Sequence, residues 1–189
     1  MSKVLETFKG LPGWAKGTIA VGSLAIATLV GITIYKNRQA KKKAEEDMAK
    51  LLVTKNDADA LIKAGMRPTY NETEYNSMAD TLFTAMDGYS TDTNKIWGIM
   101  SKMKNDLDIH NLILAYGTRE LSTGRLNPVP NVKQGLASAF ADELGYSFGS
   151  DVDKIAGYEI CTDLSTFKRY KEIDIVNCIL NANGVKFKF

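Results

Sequence analysis

One histidine, His110, and two cysteines, Cys161 and Cys178, are all that 189 residues offer to a metal preferring nitrogen or sulfur. No CxxC pair and no Cys/His cluster occurs, so a structural zinc site, which takes four such ligands, is disfavoured. His110 lies one position from Ile109 and two from Leu112 in a helical pattern, which reads as a surface or satisfied core residue rather than a general base. GxSxG, HExxH, a glycine-rich phosphate loop and a dinucleotide fingerprint are missing as well. Asp106 with Asp108 and Asp142 with Glu143 are carboxylate pairs, but they fall at expected exposed helix ends, where capping accounts for them. The chain is therefore expected to be neither an enzyme nor a cofactor carrier.

Charge is missing altogether from Gly17 to Tyr35, in "GTIAVGSLAIATLVGITIY", and five cations follow within eight residues: Lys36, Arg38, Lys41, Lys42 and Lys43. Nineteen helical residues reach roughly 28 Å, close to the ~30 Å hydrocarbon core of a bilayer. Trp14 and Tyr35 bracket the stretch, where amphipathic rings suit the water interfaces. The expectation is a single transmembrane helix over 17–35, with the domain after the cationic flank on the cytoplasmic side. Two alternatives stay open. A cleaved signal peptide would need a small-residue cleavage site beyond its apolar core, whereas "KNRQAKKK" follows Tyr35 directly. A buried soluble helix would show a polar face, and here only Thr and Ser are available for one. Ser23, Ala27 and Gly31 recur every four residues, a candidate stripe for close packing of a second helix.

Before this stretch, residues 1–16 place Val4, Leu5, Phe8 and Leu11 near one helical face, fit for an interfacial segment that Pro12 and Gly13 break, the alternative being a frayed terminus. After it, 36–53 reads as a charged helical linker and 54–189 as a helical domain with its own core. The net charge of +2 hides a division: residues 1–43 hold eight cations and one anion, net +7, and residues 44–189 hold sixteen and twenty-one, net −5. An acidic domain argues against nucleic acid as a partner, because phosphate binding needs a basic face. The basic run suits anionic lipid instead, at about 1 kcal/mol per cation near the surface. The expected partners are thus a lipid bilayer and either another protein or further copies of the chain. In a cytoplasm-facing domain Cys161 and Cys178 are expected to be free thiols.

Within the domain the periodicity is helical. "NDADALIKAGM" reads as a short helix begun at Asn56 and stopped at Gly65. In "NETEYNSMADTLFTAMDG", Asn71 and Glu74 have the spacing of a capping box, and Met78, Leu82 and Met86 repeat at i, i+4 and i+8. Ser90 or Thr91 begins a helix through Ile96, Ile99 and Met100, and "DLDIHNLILAYGTREL" forms another. "STGRLNPVPN" is a loop, and "VKQGLASAFADEL" resumes a helix. "KEIDIVNCILNANG" is amphipathic, and "VKFKF" reads as a short strand or extended tail whose Phe187 and Phe189 cover the core, the alternative being a free anchor for a partner. The fold class expected is all-α.

"ADTLFTAMDGYSTDTNKIWGIMSKMKNDLDIHNLILAYGTREL", followed by "LASAFADELG", resembles a single annexin repeat over about residues 76–145. The resemblance implies a compact annexin-like helical domain whose tight loop presents oxygens to calcium, making Gly88 and Ser90 the candidate metal positions. The chain departs from the pattern there. Ser90 stands where the family has Gly, and no Asp or Glu occurs between Ser122 and Ala141, where a distal carboxylate belongs. Calcium takes six to eight oxygens, so a weak or absent site is expected.

A helical domain behind an amino-terminal anchor also resembles small membrane proteins of lipid-containing bacterial viruses, which implies a structural role between vesicle and capsid. The reading favoured by the sequence is a non-enzymatic, membrane-anchored structural or interaction protein. A cellular protein making calcium-dependent membrane contacts is the alternative.

Overall fold

The computed structural model describes residues 13–87, 90–122, 132–148, 161 and 169–189, with side chains over 38–87, 90–122, 133–145, 161 and 171–189. The chain divides into two compact units, Met1–Ala40 and Lys41–Phe189. Six helices and four short strands occur among the described residues: α1 (Gly13–Lys63), α2 (Glu72–Met86), α3 (Thr93–Met100), α4 (Asp106–Tyr116), β1 (Thr118–Leu121), β2 (Val132–Gly135), α5 (Leu136–Glu143), β3 (Tyr146–Phe148), β4 (Arg169–Lys171) and α6 (Glu172–Ala182).

Local chemistry sets most of these limits. The helix α1 does not pause at Asn56, because Lys50, Leu51, Ala58 and their neighbours hold one helical frame through it; Gly65, at φ 92°, then reverses the chain where a side chain would be strained. Asn71 and Glu74 close the expected capping box on α2, with the Glu74 N–H donating to Asn71 Oδ1 at 3.0 Å and the Asn71 N–H to Glu74 Oε2 at 2.8 Å. The N-cap of α3 is Asp92, not Ser90 or Thr91; its carboxylate accepts the Lys95 N–H at 3.2 Å. Gly117 ends α4 at φ 59°, and the chain turns directly into β1.

The core is built from α2 lying on α4 and α3, α3 on α6, and α5 on α4. Leu82, Met86, Ile96, Trp97, Met100, Ile109, Leu112, Tyr116, Phe140, Val176 and Ile179 are buried in one cluster. Arg119 ties β1 to α2: its guanidinium pairs with Asp80 at 2.6 Å and lies over the rings of Phe83 and Tyr116.

Of the two expectations of fold class, the helical class holds and the membrane span is corrected. First, the domain is mostly helical, with short strands beside the helices. Antiparallel β1 and β2 pair Thr118 with Gly135 and Leu121 with Val132, and β3 pairs with β4, Tyr146 opposite Lys171. "VKQG", read as the start of a helix, is β2, and the helix begins only after Gly135, whose extended backbone serves as the N-cap. Second, among the described residues no helix is long and apolar enough to cross a membrane. The expected single transmembrane helix over 17–35 is therefore not found among the described residues, and α1 from Arg38 onward, with acids and bases in almost every turn, is not apolar enough to supply one. The side chains of Trp14, Ser23, Ala27, Gly31, Tyr35 and Lys36 lie outside the described residues, as does Gly88.

Cys161 and Cys178 are also corrected: they form a disulfide, with Cα atoms 5.6 Å apart, rather than two free thiols.

Candidate functional site

The segment of α1 from Arg38 to Lys63 is amphipathic in an unusual sense. One narrow face is fastened to the domain, and apolar side chains remain outside it. Asp47, only 3 % exposed, accepts the Gly135 N–H at 2.9 Å and the Ser138 hydroxyl at 2.7 Å. Gly135 is the N-cap of α5 and Ser138 lies in its first turn, where a negative charge is favoured. Gly135 offers no capping side chain, and the Asp47 carboxylate ties this end of α5 to α1. One turn earlier Lys43 reaches Asp142 at 2.6 Å and Gln134 at 3.3 Å. Leu51 and Ala58 complete this face against the core.

Beside the latch, α1, α4, α5 and the carboxy-terminal tail leave an open cleft of about 270 Å³, lined chiefly by Leu51, Val53, Ile113, Leu136 and Phe187. On the outer side of α1, Met48, Leu52 and Ile62 are 58 %, 68 % and 47 % exposed, and Val53, at the mouth of the cleft, is 59 % exposed. These four are the large exposed hydrophobics among the described residues, and all belong to one helix. At 100° per residue Met48, Leu52 and Ile62 fall within a sector of about 80°, next to the fastened face.

The expected lipid-facing cations divide. Arg38, Lys41 and Lys42 are exposed, and the two lysines face Glu45 at 4.0 Å and Glu46 at 3.8 Å, while Lys43 is committed to Asp142. Around the expected calcium loop, Ser90 is exposed. The neighbouring acids have partners: Asp87 accepts the Ser122 N–H at 2.7 Å and its hydroxyl, Asp92 pairs with Lys95 at 3.0 Å, and Glu143 accepts from the Thr91 hydroxyl at 3.1 Å. Among the described residues no three His, Cys, Asp or Glu gather in a way that could hold a metal ion.

The carboxylates that sequence reasoning assigned to exposed helix ends are structural in unequal ways. Asp108 is fully buried and accepts from the Tyr75 hydroxyl at 2.6 Å, the Thr69 hydroxyl at 2.7 Å, the Thr69 N–H at 2.8 Å and the Lys104 N–H at 2.9 Å. Burial, and then donation to Asp108, pushes the Tyr75 phenol well above its ordinary range. Asp106 Oδ1 accepts the N–H groups of Lys186 and Phe187 at 2.6 and 2.9 Å, which holds the tail as an extended strap. Phe189 packs edge-on against Phe140, with ring centroids 4.9 Å apart, and Phe187 meets His110 at 5.4 Å. The tail thus covers the core. Burial lowers the His110 pKa, and its Nδ1 has no hydrogen-bond partner.

No family model, curated protein or solved structure matches the chain.

Proposed function

We propose that this protein is a non-enzymatic interaction protein, in which a compact helical domain braces one helix, α1, so that its outer face can dock another protein chain. The observation that carries this reading is the confinement of the exposed Met48, Leu52, Val53 and Ile62 to α1, while elsewhere the described large apolar side chains are buried or half-buried. A soluble surface of that kind is costly unless something covers it, and interaction faces are where such residues persist. The latch at Asp47 supports the same reading, because a docking face held rigidly loses less entropy on binding than a free helix would. Partner acids around Ser90 lend no comparable support to calcium-dependent contacts.

The setting we propose is a lipid surface. The uncharged Gly17–Tyr35 stretch followed by Lys36, Arg38, Lys41, Lys42 and Lys43 supports it, since apolar residues and adjacent cations both favour anionic bilayers.

The test replaces Leu52 and Ile62 together by Glu in the full chain. Both side chains are exposed, so the melting temperature should stay within a few degrees while complexes recovered with the wild-type chain disappear. Unchanged complexes in the folded double variant would overturn the reading.

A further inference from the structure

The outer face of α1 reads nearly the same in both directions. Leu52, Lys55, Asp59 and Ile62 follow one another at spacings of three, four and three, on one side of the helix. All four are exposed. Lys55 and Asp59 are one turn apart, and neither takes part in an ion pair among the described residues.

We infer that the occupant of this face is a second copy of the chain, lying antiparallel along α1 about a two-fold axis midway between Lys55 and Asp59. This inference rests on the reading of α1 as a docking helix and names its partner. In that register Leu52 of each chain meets Ile62 of the other, and Lys55 of each meets Asp59 of the other. The contact is therefore isologous, as a two-fold dimer requires, and every layer matches apolar with apolar or cation with anion. Antiparallel helix pairs set one seam position against the other in this manner. A parallel pair would do the opposite: each position would face its own copy, placing Lys55 on Lys55 and Asp59 on Asp59, two like-charge layers in a short seam. The charges thus select direction, and Leu52 and Ile62 supply the apolar contact. Lys63 ends the helix, so the overlap runs over about residues 51–63, roughly 18 Å of helix. An overlap of this length suits a reversible dimer rather than a permanent one.

The experiment measures self-association of the full chain in detergent micelles by sedimentation over a concentration series. Wild type should show a monomer–dimer equilibrium. Lys55→Glu and Asp59→Lys should each weaken it about tenfold or more, because both copies then present like charges in two layers, whereas the double variant K55E/D59K restores opposite charges and should recover most of the affinity. As a direct reading of register, chains carrying Lys55→Cys mixed with chains carrying Asp59→Cys should give a mixed disulfide dimer in preference to either self-pair. Single reversals without effect, or self-pairs of Lys55→Cys forming as readily as mixed ones, would overturn the antiparallel pair. A wild-type chain that stays monomeric overturns it as well. In that case complexes with a different protein, lost in the Leu52 and Ile62 double variant, would leave the docking reading standing, and their absence would remove both.

Discussion

The Asp47 carboxylate lies 88 positions before the Gly135 N–H it accepts at 2.9 Å and 91 before the Ser138 hydroxyl it accepts at 2.7 Å. A long helix is thereby bonded to the start of a short one. Replacing Asp47 by Ala should destabilise the fold by about 1–3 kcal/mol, the cost of leaving buried donors unsatisfied. Lys43→Ala should cost less than about 1 kcal/mol, since Lys43 and Asp142 are both partly solvated. Urea unfolding of the three proteins checks the order; equal losses would mean that Asp47 is not the latch.

Stability should fall at both ends of the pH scale, through different residues. Burial raises the phenols of Tyr75 and Tyr116, with Asp108 adding to the effect on Tyr75. Above about pH 10, the ordinary phenol value, the unfolded chain releases protons that the folded chain keeps. Stability that is complete below that pH is therefore lost as pH rises toward the folded-state values. Tyr75→Phe and Tyr116→Phe should each flatten the alkaline limb.

His110 acts with the opposite sign. Burial lowers its pKa, and the nearby Asp57 and Asp106 offset only part of this. The unfolded chain takes up a proton as pH falls through about 6.5 while the folded chain resists, so stability present above that pH declines toward the folded-state value. Urea midpoints of wild type and His110→Gln between neutral and mildly acidic pH should converge; parallel curves would show that His110 contributes nothing to the acid limb.

The Cys161–Cys178 disulfide spans a sequence separation of 17. A loop of that size supports about 3 kcal/mol of stabilisation on the chain-entropy account. The double variant Cys161→Ser, Cys178→Ser should melt several degrees below the oxidised protein, and a reductant should lower wild type to the same point without affecting the variant. Two titratable thiols in the folded wild-type protein would contradict the bridge.

The helices of the domain were legible because their signals are local: the Asn71 and Glu74 box, the Gly65 stop and the spacing of Met78, Leu82 and Met86 each lie within a few residues. The strands were not, since "TREL" and "VKQG" are four residues each and acquire their structure only by pairing across the intervening segment. Asp108 and Asp47 were missed for a related reason. A carboxylate in the first turn of a helix, or in the charged run "AEEDMAK", looks solvated until its donors arrive from elsewhere in the chain. Asp47 did leave a trace, in that it shares a helical face with Leu51, Thr54 and Ala58, a face that a purely solvated linker would not have. The cysteines misled because their expected state followed from an expected compartment rather than from their own surroundings.

Docking along the outer face of α1 is tested most directly by a photo-reactive side chain at position 52 of the full chain, with the same group at the exposed position 120 on β1 as the comparison. After irradiation in cells producing the protein, position 52 should give one discrete cross-linked species, and position 120 should give little. The Ile62→Glu background should remove that species while leaving the melting temperature nearly unchanged. No adduct from position 52, or equal adducts from both positions, would contradict the account.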